Sequence, residues 1–397
     1  MKNEVIEIKP GIHWIGARDP DLRLFDDLFP TKYGTTYNSY LVKGNDKVAI
    51  IDTVKRKYTE EYLAKVRQLV DPADVDYYIV NHTEPDHSGS LAFMLEHSPK
   101  AVVFSSQAAK TFLGNQIHTP FESHVVKDGE ILDLGGRHLR FVIAPFLHWP
   151  DTMFTLLEED GLLFTCDAFG SHYCGTSIFA DEVPDFSDEM EFYFDCLVRP
   201  FKDKAMAAID KIRGERIEMI CPSHGPIRRK DLQDVIGNYE KWCTPPGPEK
   251  RIAIFYLSPH GNTEKMAKAV AKGAALQGIA TELCHIPSHT ALEIRALMES
   301  ADALIFGTPT INRDVPKPMW DTLSYLSMVK LKSSIGGVFG SFGWSGEACK
   351  IAEERLKGLN FRLPAPALRF PFAPRPEALE QCEAFGKAIA EEVLKKN

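Results

Sequence analysis

The stretch His82-Thr83-Glu84-Pro85-Asp86-His87 places two imidazoles and two carboxylates within six positions. Neutral imidazole suits iron and zinc, and carboxylates add hard oxygen donors. On an extended chain His82, Glu84 and Asp86 would share one face. Asp86 and His87, being adjacent, point differently from the His82/Glu84 pair, so one ion cannot easily use all four. Two ions can, one on His-x-Glu and one on Asp-His, provided later segments complete each set. Three residues offer themselves in a common context, a strand end running into a Gly- or Pro-containing loop: His148 in PFLHWPDT, Asp167 in LLFTCDAFG and His224 in ICPSHGPI. Loops at one rim of a sheet are where sites gather. If Asp167 bridges, two ferrous ions face the charges of Glu84, Asp86 and Asp167, and a bound hydroxide would make the cluster neutral. Such a cluster avoids the cost of uncompensated buried charge. Glu84, standing where another imidazole would also serve, hardens the ligand set and favours iron, although zinc also accepts carboxylates.

A second constellation lies in LSPHGNT, residues 257–263, between the apolar run IAIFYL and the helical pattern TEKMAKAVAKGAAL. Ser258, His260, Gly261, Asn262 and Thr263 supply hydroxyls, a flexible glycine and backbone N–H groups at a helix start, a cradle for phosphate. Neither G-x-x-x-x-G-K-[ST] nor G-x-G-x-x-G is present, so a monophosphate fits better than a triphosphate or dinucleotide. Two further loops, FGTPTINRDVP after ALIF and GSFGWSGEA after IGGVF, carry small and aromatic residues at strand ends. A planar ring can lie against backbone there, and the flavodoxin-like strand order holds FMN at that rim.

These segments need scaffolds. At 397 residues the chain exceeds one typical core. CTPPGPEKR, with three prolines and a glycine, reads as a semi-rigid linker. The expected division is therefore a first domain over 1–245, a linker over 246–250 and a second domain over 251–397. In the first, IHWIGA, YNSYLVKG, KVAIIDT, DYYIV, AVVFSS, HLRFVIAP, GLLFTCD and MICPSHG read as strands, with helical patterns such as TEEYLAKVRQLV between them. That mixture predicts a sandwich with helices packed outside. In the second, IAIFYL, TELCHI, ALIFG, IGGVFGSF and LRFP alternate with helices and predict a doubly wound parallel sheet.

Composition narrows the classes. Hydrophobic residues are 44% and charged ones 25%, which is ordinary globular usage, and a net charge of −9 argues against a nucleic-acid partner. MKNEVIEIKPG lacks an apolar signal region, and no uninterrupted apolar window approaches a membrane span, so a cytoplasmic protein is expected. None of the eight cysteines forms a C-x-x-C pair, which removes rubredoxin-type and zinc-ribbon sites and fits a reducing compartment. Cys166 reads as a small buried hydrophobe. His13, His97, His118, His124, His138 and His172 read as surface or satisfied core residues.

H-x-E-x-D-H followed by His, Asp and His at strand ends resembles the metallo-β-lactamase fold in the variant found in flavodiiron proteins; hydrolases of the wider superfamily show H-x-H-x-D-H and bind zinc. [ST]-x-x-G-x-T, G-[TS]-P-T and S-[FY]-G-W-[ST]-G resemble the flavodoxin domain of the same family. The resemblance implies an αββα domain in which His82, Glu84 and His148 hold one iron and Asp86, His87 and His224 the other, with Asp167 bridging. It also implies FMN, its phosphate on Ser258, His260, Gly261, Asn262 and Thr263. The isoalloxazine would lie among Thr308, Pro309, Thr310, Ile311 and Asn312 and among Ser341, Phe342, Gly343, Trp344, Ser345 and Gly346. The activity implied is reduction of dioxygen to water, nitric oxide to nitrous oxide, or both. Electrons would come from rubredoxin or a reduced deazaflavin, in a head-to-tail homodimer or dimer of dimers. Trp149 and Trp344 are candidates for the electron path, and Phe25, Tyr33 and Tyr37 for the wall of the gas pocket. The alternative is a dinuclear zinc metallohydrolase with an attached flavodoxin domain; an electron carrier with a vestigial first domain is disfavoured by the full set of ligands.

Overall fold

In the computed structural model, which describes residues 4–245 and 247–395, the chain divides into two units, Met1–Thr244 and Pro245–Asn397. Pro246 of the expected linker and the terminal residues 1–3 and 396–397 lie outside the described residues.

The first unit is built on two sheets. One runs in the order Ile6–Lys9, Ile12–Trp14, Tyr40–Lys43, Val48–Ile51, Tyr77–Val80, Val102–Ser105, Ser123–Val125. Its pairings are antiparallel as far as Val48–Ile51 and parallel beyond it. The other runs Ile131–Asp133, His138–Ile143, Met153–Leu157, Leu162–Cys166, Met219–Pro222, with only the last pair parallel. Side chains alternate across each strand, and the two faces go to different partners. Ile79 enters the core between the sheets with Trp14, Phe141 and Phe164. Its neighbours Tyr78 and Val80 meet Leu63 and Val66 of the helix Thr59–Leu69 and Met94 of Leu91–His97. On the far side Phe154, Leu156 and Leu163 pack against Ile209 of Lys202–Ile212 and Val235 and Tyr239 of Leu232–Cys243. This is the αββα sandwich.

The strand Met153–Leu157 was not among those anticipated. All five of its residues are buried.

The second unit is a five-stranded parallel sheet in the order Ala280–His285, Arg251–Tyr256, Ala303–Gly307, Gly336–Phe342, Leu368–Pro371. Met266 and Val270 of Asn262–Ala275 and Phe385 and Ile389 of Pro376–Lys395 cover one face. Met298, Met319 and Ala352 from three other helices cover the opposite one. The strand order reverses at Arg251–Tyr256, leaving a crevice at the strands' carboxyl ends.

Candidate functional site: a bridged carboxylate–histidine cluster and a flavin cradle

Four strand ends of the first unit deliver the cluster. Tyr77–Val80 runs into His82 and Glu84, His138–Ile143 leads to His148, Leu162–Cys166 to Asp167, and Met219–Pro222 to His224. Asp86 and His87 do not continue the strand. They sit on a short helical turn, Pro85–Ser88, which Pro85 opens with its fixed φ. The turn swings them off the His82/Glu84 face, so Asp86 does not share an extended face with His82 as expected. Ser88 Oγ donates to the Thr83 carbonyl at 2.8 Å.

The seven residues separate into two sets. Glu84 Oε2 lies 3.3 Å from His82 Nε2 and 3.0 Å from His148 Nε2. Asp86 lies 3.3 Å from His87 Nε2 and 3.0 Å from His224 Nε2. Asp167 faces both. Its Oδ2 is 3.6 Å from His82 Nε2 and from His148 Nε2, and its Oδ1 is 3.1 Å from His87 Nε2 and 3.6 Å from His224 Nε2. Ligand atoms within each set all lie within 4.8 Å of one another. Both Asp86 oxygens and Asp167 Oδ2 are buried without a well-formed hydrogen bond, a costly arrangement for carboxylates that no cation meets.

Electrostatics follows from this crowding. Burial works to raise the Asp86 and Asp167 carboxyls, but the neighbouring histidines overcome it and hold both below the usual carboxylate range. Burial likewise disfavours a charged His87, yet Asp86 and Asp167 outweigh it and push the imidazole up to about 10. A divalent cation among these groups would replace those protons.

Outer contacts fix the rings. His82 Nδ1 is 3.1 Å from Asp151 Oδ2, which also accepts from Thr83 N and Thr83 Oγ1 at 2.7 Å each. His224 Nδ1 is 2.6 Å from the Thr36 carbonyl. With Nδ1 so engaged, Nε2 is free to point inward. Tyr193 Oη donates to Asp167 Oδ1 at 2.9 Å, and Asn38 Nδ2 donates to the Pro222 and Gly225 carbonyls at 2.8 Å each, fastening the His224 loop. Asp151, Tyr193 and Asn38 were missed in the sequence. Asp151 carried a usable signal, an acidic residue three positions after a histidine ligand; Tyr193 and Asn38 carried none.

His172 also departs from expectation. It is neither at the surface nor satisfied. Nδ1 is 3.1 Å from Thr35 Oγ1, while Nε2 is buried without a partner. Its ring lies 4.2 Å from that of Phe25 and 5.5 Å from that of His224. Burial, with His224 adding to it, lowers it to about 3, so the imidazole is neutral. Phe25 and Tyr37 flank His224 at centroid distances of 5.2 and 5.6 Å, whereas Tyr33 pairs with Tyr173 and is 40% exposed. Trp149 meets the His82 ring edge-on at 5.1 Å. Cys166 is buried as a small hydrophobe, and burial raises its thiol well above the usual range.

In the second unit, the helix Asn262–Ala275 begins at Gly261, whose φ of +75° suits glycine. The backbone N–H groups of Asn262 and Thr263 have no partner among the described residues, while Glu264 N donates to Ser258 Oγ at 2.9 Å. Thr263 Oγ1 and Ser341 Oγ, 2.9 Å apart, join this loop to the strand Gly336–Phe342. A cavity of about 250 Å³ opens on Ser258, His260, Asn262 and Thr263, on Pro309, Thr310 and Ile311, and on Ser341, Phe342 and Gly343. Gly261, Thr308, Asn312, Trp344, Ser345 and Gly346 stand outside its lining. Thr308 is fully buried and Trp344 is 81% exposed.

Residues 35–225 match the family model described as ODP family beta lactamase, and residues 254–386 match the flavodoxin model. The flavo-diiron protein FprA2 of Clostridium acetobutylicum is 36% identical, over 98% of this chain and 99% of that one. A nitric oxide reductase of Moorella thermoacetica is 37% identical over 98% of each. The structure of the rubredoxin oxygen:oxidoreductase of Desulfovibrio gigas aligns with a TM-score of 0.72 at 32% identity, covering 99% of both chains. The chain belongs to the flavodiiron protein family. As a flavodiiron protein it is an oxidoreductase whose family cofactors are FMN and a non-haem iron pair. The residues present fit both groups. Buried carboxylate oxygens without hydrogen-bond partners face imidazole Nε2 atoms, and free N–H groups at a helix start suit a phosphate. Among the described residues no helix of this flavodiiron protein is long and apolar enough to cross a membrane.

Proposed function

We propose that this flavodiiron protein reduces dioxygen to water, nitric oxide to nitrous oxide, or both, in the cytoplasm. Its electrons would come through FMN from a rubredoxin or a reduced deazaflavin. The single observation that carries the reading is Asp167, whose two oxygens face two separate ligand sets. When bound, a ferrous pair and a reduced flavin supply two electrons each, enough together for the four that dioxygen needs and more than the two that coupling of nitric oxide needs.

The chain's own residues hold and orient. His82, Glu84 and His148 would bind one iron, Asp86, His87 and His224 the other, with Asp167 across both. Three carboxylates against two divalent ions leave one positive charge, so an anionic small ligand is favoured between them. Tyr193 Oη–H on Asp167 Oδ1 lessens that oxygen's basicity. Phe25 and Tyr37 beside His224 exclude water from the site. Ser258, His260, Gly261, Asn262 and Thr263 would hold the FMN phosphate. The isoalloxazine would rest on Pro309, Thr310 and Ile311 and on Ser341, Phe342 and Gly343. A head-to-tail homodimer, or a dimer of dimers, would bring the flavin of one subunit to the irons of the next.

The test is metal and flavin analysis followed by anaerobic reduction and stopped-flow mixing with each gas. Two irons and one FMN per chain, with reoxidation by at least one gas, are expected. Zinc without flavin, and no reoxidation by either gas, would instead identify the metallohydrolase.

A further inference from the structure

The loop after the last strand of the flavodoxin-like sheet contributes a residue that no sequence motif announced. Phe372 follows Leu368–Pro371 and lines the same cavity as Ser258, Thr263 and Gly343. Its backbone is left-handed, with φ of +54°. Aromatic side chains rarely adopt that conformation, and where they do the surroundings over-determine it, most often at a ligand site. Here the fixing contact is Phe372 N–H to the Phe342 carbonyl at 2.7 Å, which ties the loop to the strand Gly336–Phe342. The ring edge lies 3.9 Å from where a Cβ on Gly343 would stand, so glycine leaves bare backbone beside the ring. Phe372 nonetheless remains 68% exposed. Trp344 is more exposed still, but it does not front the cavity.

We propose that Phe372 is the aromatic wall of the flavin site, its ring covering the isoalloxazine and setting both how tightly the ring system is held and how readily it is reduced. The inference rests on the reading of this cavity as a flavin site. An apolar ring held in water gains by covering a flat π-system, and such stacking corresponds to about 5- to 150-fold in affinity. The face of a phenyl ring is electron-rich. It disfavours the negative charge that a flavin acquires on reduction, so losing the ring shifts the midpoint potential upward.

The experiment titrates the full-length, metal-loaded protein with FMN and separately with riboflavin, following flavin fluorescence. Phe372→Ala, Phe372→Trp and Ser258→Ala are compared with the unaltered chain. Because Phe372 is exposed, its replacement leaves the core intact. Phe372→Ala is expected to weaken both ligands by about 5- to 150-fold without changing their ratio, and to raise the flavin midpoint potential. Phe372→Trp should restore binding of both. Ser258→Ala should weaken FMN alone, since only FMN carries the phosphate. If Phe372→Ala leaves both affinities within about twofold, or weakens FMN but not riboflavin, the ring does not cover the flavin and the inference is wrong. Failure of the unaltered chain to take up either flavin would overturn the reading beneath it as well.

Discussion

The two sites of this flavodiiron protein are built from different parts of the chain. The metal cluster is made of side chains, with Asp86, His87, Asp167 and His224 all buried. The candidate flavin cavity is formed by loops, a helix start and two strand ends, with Gly343 among its lining residues. Two rings of the metal cluster are fixed by a second contact, His82 by Asp151 and His224 by the Thr36 carbonyl. A site built of loops depends on their conformation, and its side chains trim rather than create it. Substitutions should therefore remove the first abruptly and degrade the second gradually.

The largest effect is expected from Asp167→Asn. It removes the charge shared by both ligand sets, and breaking such a buried arrangement costs about 3–5 kcal/mol, or roughly 10²- to 10⁴-fold in metal affinity. Elemental analysis should show loss of both irons with the FMN absorbance intact. Equal loss of flavin would undo the contrast between the sites. Next comes Asp151→Asn, which touches no proposed iron ligand atom except through His82 and should cost about 10- to 100-fold in metal affinity or turnover. Retention of full affinity would show that the His82 ring is held by packing alone.

A smaller effect concerns pH. His87 in the metal-free fold is pushed up to about 10 by Asp86 and Asp167, against the opposing effect of burial, while an unfolded histidine titrates near about 6.5. The folded value is the higher one, so this contribution to stability is complete below about pH 6.5 and disappears as pH climbs towards about 10. The melting temperature of metal-free protein should fall across that window, and iron should bind more tightly there because fewer protons must leave. Loaded protein should show no such fall in differential scanning calorimetry. The smallest effect belongs to Gly340→Ala in the flavin unit. Its Cβ would lie 1.9 Å from the Thr308 carbonyl and 2.7 Å from Cys349 Sγ. The overpacking should cost about 1–3 kcal/mol in urea unfolding, with weaker FMN binding and unchanged iron content. A change in iron content would show that the two sites are not separable.

Legibility followed the same division. The seven ligand candidates could be found because His and carboxylate at fixed spacing are chemically unmistakable, and because each of the three distant ones closes a readable strand. The supports could not. Asn38 and Tyr193 are ordinary residues in ordinary contexts, and only the folded chain brings them to Pro222 and Asp167. His172 looked like any isolated histidine until the loop after Asp167 carried it back against His224. In the second unit, the small and polar residues picked out at the helix start, Ser258, His260, Asn262 and Thr263, line the cavity. Trp344 drew attention by type, whereas Phe342 and Phe372 are the phenylalanines that line the cavity.

The amino-acid sequence by itself determined which chemistries are possible: imidazole and carboxylate donors at strand ends, a phosphate-sized helix start, and alternations that force a sandwich and a parallel sheet. Tertiary structure alone decided that Asp167 turns one oxygen to each ligand set, which histidine nitrogens face inward, and which aromatics border the cavity of the second unit. Those outcomes depend on angles between side chains far apart in the chain. Spacing along a sequence records what a residue can donate, but not where packing will aim it.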